Sequence, residues 1–132
     1  MTLTQKKPVK QTYSKAGVDI PAALAVKKTI GRLAASTLRP EVLSGVGFFG
    51  GLFEFKGYKN PVLVSSVDGV GTKLKIAAAL DKHDTIGMDI VNHCVNDIFT
   101  SGADPLFFLD YLAFGKLEPK RVEAIVQGLA SA

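Results

Sequence analysis

Tryptophan is absent from this 132-residue chain, and cysteine occurs once, at Cys94. A lone thiol excludes an internal disulfide and a cysteine metal cluster, and it points to a reducing, cytoplasmic setting. No apolar run approaches the about 18 residues that a membrane span requires, so no membrane partner is expected. The opening MTLTQKKPVK is polar and lysine-rich without the apolar centre of a secretory leader. No Ser-His-Asp order, zinc-ligand spacing or pair of catalytic carboxylates stands out. Aromatic residues make up 8% of the chain, and its basic stretch lacks interleaved aromatics apart from Tyr13. That scarcity argues against a nucleic-acid partner.

What remains is a soluble globular composition, 47% hydrophobic and 21% charged, in a length that suits one domain or part of one. The net charge of +4 is unevenly spread. Residues 1–39 carry eight bases against the single acid Asp19, a balance of +7, while the remainder carries −3. A basic arm on a mildly acidic body suggests an anionic partner, either nucleic acid or a phosphorylated small molecule.

Residues 1–19 are polar, contain Pro8 and show no periodic apolar face, so they are expected to form a mobile basic N-terminal segment. Pro21 suits the first turn of a helix, and Ala23, Val26, Ile30 and Leu33 recur at helical spacing. The runs FFGGLFEF (48–55) and PVLVSSV (61–67), separated by KGYKN, predict a β-hairpin. Helices are expected over 72–82 and 85–101, and LFFLDYLAF reads as a buried strand. Val122, Ile125, Val126 and Leu129 give the 118–131 segment one apolar helical face. The fold class expected is α+β, a mixed sheet covered by helices on one face. Three strands make a thin sheet, and the final helix would normally lead into another strand, so the chain reads as truncated.

Chemistry concentrates in two places. The first is Ser65-Ser66-Val67-Asp68-Gly69-Val70-Gly71-Thr72-Lys73, a carboxylate followed by a glycine turn and a helix start. Glycines let a ligand approach the backbone, and helix-terminal N–H groups attract anions. Lys73 stands in a first turn, where the helix dipole does not favour it, and a bound phosphate would balance it. Asp68 is suited to a magnesium ion. The spacing matches neither the dinucleotide fingerprint nor the P-loop, and an ordinary turn with a surface lysine is the plain alternative.

The second place is the 85–101 helix. Asp89, Asn92, His93, Asn96, Asp97 and Thr100 share a sector of roughly 140°. That face carries acids, amides and a histidine but no lysine or arginine, which suits a cation or a hydrogen-bonded ligand; a plain solvated face is the competing reading. His83 and Asp84 precede this helix and can serve simply as caps. Asp110 interrupts an apolar run and needs a partner or an exposed face. Tyr13, Lys15, Gly17 and Asp19 are candidates for a flap over a ligand.

Together these motifs resemble the phosphoribosylformylglycinamidine cyclo-ligase (aminoimidazole ribonucleotide synthetase) family. The resemblance rests on residues 13–20 (YSKAGVDI), 47–53 (GFFGGLF), 64–75 (VSSVDGVGTKLK), 83–89 (HDTIGMD), 95–98 (VNDI) and 102–111 (GADPLFFLDY). It implies an ATP- and magnesium-dependent enzyme of purine biosynthesis acting on formylglycinamidine ribonucleotide. Asp68 and Asp97 would hold magnesium, and Gly69, Val70, Gly71, Thr72 and Lys73 would contact ATP. Lys15, Asp19, His83, Asp89 and Asn96 are secondary site candidates.

The resemblance further implies a homodimer whose sheets pair into a barrel. Family members are more than twice as long, so residues 20–132 would form an incomplete ATP-binding N-terminal domain, inactive alone. The alternatives are a non-catalytic dimerisation module, or an ATP-using relative such as selenophosphate synthetase or thiamine-phosphate kinase.

Overall fold

A computed structural model describes residues 19–132. Its elements are α1 (Ile20–Ala35), α2 (Lys73–Leu80), α3 (Asp84–Phe99) and α4 (Pro119–Ser131). The helix expected after residue 20 forms as α1, with Pro21 in its first turn, where a missing N–H costs nothing. Asp19 caps it: the carboxylate Oδ1 accepts from the Ala22 N–H at 3.0 Å. Such a bond satisfies one of the donors that a helix start leaves free.

The amphipathic stripe of α4 is the centre of the packing, with α1 on one side and α3 on the other. Val122 is 2% exposed and forms the core with Val126 of α4 and Val26 and Leu33 of α1. Ile30, Leu112, Phe114, Leu117 and Leu129 pack around this cluster.

The α3–α4 crossing is closer than side chains allow. A Cβ on Gly87 would run into the Ile125 carbonyl oxygen and the Leu129 amide nitrogen, and one on Gly128 into the Asp84 carbonyl oxygen. Two glycines facing one another let the backbones touch. The contact holds the start of α3 against α4, and α3 in turn carries the polar face of interest.

The α+β expectation is corrected. Among the described residues there are four helices and no strand, and therefore neither a mixed sheet nor a surface that pairs into a barrel. The hairpin region keeps its turn character, with positive φ at Gly57 (81°) and Asn60 (54°), but the flanking runs do not form a ladder. Only isolated bridges occur, Val42 with Phe53 antiparallel and Val46 with Phe48 parallel. Around the first, the Leu43 N–H donates to the Leu52 carbonyl and the Glu54 N–H to the Glu41 carbonyl, both at 2.8 Å.

The physical reason is that β-branched, apolar sequence supplies propensity, whereas a strand exists only with a hydrogen-bonding neighbour. Val62 and Val67 instead stand 88% and 96% exposed. The LFFLDYLAF run is not the buried strand expected: Leu109 and Tyr111 are exposed, and only part of the run packs. Phe107 lies against Phe53 with ring centroids 5.2 Å apart, and Leu112 and Phe114 join the helical core. Among the described residues no helix is long and apolar enough to cross a membrane.

Candidate functional site

The segment from Ser66 to Lys73 delivers its polar groups onto the exposed face of α3. Gly71 adopts φ +71°, a conformation that side-chain-bearing residues seldom take, and this turn leads into α2. Thr72 is the N-cap residue of α2, and its side chain makes no capping hydrogen bond. Lys73 begins the helix and reaches across to α3, where its Nζ lies 2.8 Å from Asp89 Oδ1. The charge that looked unbalanced in sequence is therefore met by a carboxylate of the same chain. Asp89 Oδ2, in contrast, is buried and has no hydrogen-bond partner.

Asp68 turns back on its own loop. Its Oδ1 accepts from the Gly69 N–H at 2.6 Å, and its Oδ2 lies 2.8 Å from His93 Nε2. The Gly69 N–H, and after it the His93 ring, hold the Asp68 carboxyl below its usual range, so it is ionised over all neutral conditions.

Asp97 stands one helical turn beyond His93 and accepts from the Ser66 hydroxyl at 2.8 Å through Oδ2. One donor atom from each of Asp68, His93 and Asp97 falls within 4.8 Å of the others. Two carboxylates at that separation repel unless a cation or protonated group stands between them. Magnesium prefers oxygen ligands, so the donor set fits it through Asp68 and Asp97, with His93 fixing the orientation of Asp68.

Next to this cluster lies an open cleft of about 320 Å³ lined by Val70, Lys73, Asp89, Asn92, His93 and Asn96. The structure thus gathers Asp68, Val70, Lys73, Asp89, Asn96 and Asp97 on one side of the α2–α3 pair. Other candidates lie apart. Asp19 is spent on the cap of α1. His83 sits at the opposite end of α3, where its Nε2 lies 3.2 Å from Asp81 Oδ1. Asp81 also accepts from Arg121 of α4 at 3.3 Å, so His83 belongs to a clasp between the α2–α3 turn and α4. Lys15 and the proposed flap lie outside the described residues, apart from Asp19. His93 belongs to the polar helix face expected from sequence and Ser66 to the glycine-turn stretch, though neither is among the ligands that the resemblance implies. His93 precedes Asp97 by four residues on the same helical face, the spacing that places two side chains together.

A carboxylate pair beside a glycine turn, with an ammonium and a polar cleft adjoining, could hold a cation together with a polyanion. Residues 51–132 match the family model described as AIR synthase related protein, N-terminal domain, and the chain belongs to that family. It is 58% identical over 121 residues to phosphoribosylformylglycinamidine cyclo-ligase of Trichlorobacter lovleyi, covering 90% of this chain and 35% of that protein. The same-named proteins of a Picosynechococcus species and of Geotalea daltonii are 59% and 60% identical, over 89% and 90% of this chain and 35% of each relative. The chain spans about a third of the length of the curated relatives it matches.

Proposed function

We propose that the chain supplies the phosphate- and metal-binding part of an ATP-dependent cyclo-ligase of purine biosynthesis. That enzyme converts formylglycinamidine ribonucleotide to aminoimidazole ribonucleotide. The observation that carries this reading is the approach of Asp68 and Asp97, within 4.8 Å, beside the Gly69–Lys73 turn. The relatives' shared name, at 58–60% identity, supports the choice of reaction.

In the reaction, the terminal phosphoryl group of ATP moves to the amide oxygen of the substrate. An internal nitrogen then attacks the activated carbon, the carbon–oxygen bond breaks, and phosphate leaves. A phosphorylated oxygen departs readily where a bare amide oxygen does not. Most of the protein's work in such a transfer is positioning and charge neutralisation.

Asp68 and Asp97 would hold magnesium, which when bound neutralises phosphate charge. Gly69, Val70, Gly71 and Thr72 would bring backbone and hydroxyl groups to the phosphates. Lys73 would add its ammonium, shared with Asp89. Asn96 would hydrogen-bond within the cleft, and His93 would keep Asp68 oriented.

A homodimer and a cytoplasmic location belong to the same reading. The apolar side chains at Val62, Val67 and Tyr111, 88%, 96% and 91% exposed, support association with a further surface.

Titration calorimetry of the intact protein with magnesium-saturated ATP tests the proposal. Asp68→Ala and Lys73→Ala are each expected to weaken binding about tenfold or more, the scale of a lost charge-assisted contact. Wild-type affinity in both variants would remove it.

A further inference from the structure

We propose that Asp68–Gly69 is a site of spontaneous covalent modification, in which the aspartyl residue cyclises onto the Gly69 nitrogen and reopens as isoaspartate. This holds whatever ligand the neighbouring carboxylates take, and it marks the loop as a target for enzymes that methylate isoaspartyl groups.

The sequence singles out the pair. Asp68 is the one aspartate followed by glycine; the others precede Ile, Lys, Thr, Pro or Tyr, and the asparagines precede Pro, His or Asp. A side chain on the following residue crowds the nitrogen and narrows its backbone freedom, and glycine imposes neither limit.

The fold leaves the pair open. Both residues are exposed and lie outside the helices, with the Asp68 side chain 51% exposed. Open space surrounds the Cα of Gly69, where an added Cβ would meet nothing within 4 Å. Among the described residues, the Gly69 N–H has no backbone acceptor and turns to Asp68 Oδ1 at 2.6 Å. Oδ2 is held 2.8 Å from His93 Nε2. The carboxyl carbon, bonded to both oxygens, is thereby kept beside the nitrogen that attacks it. Asp89 and Asp97 differ, because each lies within α3, where the next N–H is committed to the helix.

The step balances without a co-reactant. The Gly69 nitrogen bonds to Asp68 Cγ and the Cγ–Oδ2 bond breaks; Oδ2 leaves as water with the amide proton and a proton from solvent. Water then opens the succinimide ring. Cleavage of the bond from nitrogen to Cγ restores aspartate, and cleavage of the bond from nitrogen to the main-chain carbonyl carbon gives isoaspartate. The isoaspartyl chain runs through Cβ and Cγ, and its free carboxylate sits directly on Cα, which takes it away from His93 and Asp97. Asp68 is ionised at neutral pH, so the step is slow and is read over days.

The test ages the intact protein at neutral pH in heavy-oxygen water, then digests it and separates the peptides by liquid chromatography with mass spectrometry. Peptides carrying residue 68 are expected to gain heavy oxygen and an isoaspartyl isomer that accepts methyl groups from an isoaspartyl methyltransferase. That gain is expected to exceed the gain at every other aspartate. Gly69→Ala is expected to slow it about tenfold, since the added side chain crowds the nitrogen. The new Cβ finds open space, and a circular dichroism melting curve like that of wild type identifies the variant as folded. A synthetic peptide of residues 61–75 measures the same step without the fold. Isomerisation in the peptide but not in the folded protein overturns the proposal. So does a Gly69→Ala rate equal to wild type, or a gain at residue 68 no greater than at the other aspartates.

Discussion

The α1–α3–α4 packing and the 40–72 segment both hold many apolar residues and behave in opposite ways. In the helices, apolar residues recur every three or four positions, and each helix satisfies its own backbone before it packs. Val122, Ile125 and Val126 are then buried against neighbours. Between residues 40 and 72 an extended backbone needs a partner from elsewhere in the chain, and its β-pairing stops at the isolated Val42–Phe53 and Val46–Phe48 bridges. Apolar content alone does not decide burial. The source of the hydrogen bonds does.

That contrast is broken most severely at the helix crossing. Gly128→Leu is expected to cost about 4 kcal/mol or more, because the side chain must displace the backbone of α3 at Asp84. Chemical denaturation followed by circular dichroism reads the loss, and a near-neutral effect would contradict the backbone contact. Val122→Ala removes buried methyl groups from the centre of the core and is expected to cost about 2 kcal/mol by the same measurement. Asp19→Ala removes the cap of α1 at an expected cost of about 1 kcal/mol, and Asp19→Asn restores most of it. Val62→Ser and Val67→Ser are expected to stay within about 0.5 kcal/mol of wild type, since both side chains are exposed. A large loss at either valine would show that the extended region is as integral as the helices.

The same division decides what the sequence made legible. Helical periodicity is a local signal, so α1, α3 and α4 and their buried faces follow from residues such as Val26, Val91 and Val126. The strands were read from composition, which cannot say whether a ladder partner is present.

At the candidate site, helical spacing places Asp89, His93, Asn96 and Asp97 together, and the glycine turn places Asp68 nearby. The Lys73–Asp89 pair spans two elements and was not visible in sequence. His83 looked equivalent to the other polar residues near α3, but its position at the helix start directs it toward Asp81 and Arg121 of a separate clasp. Asp19 likewise looked like a ligand-facing acid, whereas its place one residue before a helix makes it a cap.

Asp68, in the loop before α2, and Asp97, on α3, are proposed to share one cation with a nucleotide. Manganese, a paramagnetic substitute for magnesium, can be titrated with ATP into protein carrying ¹³C-labelled aspartate. Simultaneous broadening of the Asp68 and Asp97 carboxyl signals, ahead of Asp19 and Asp110, is the predicted result. Unbroadened signals from both, or broadening of one without the other, would contradict the account.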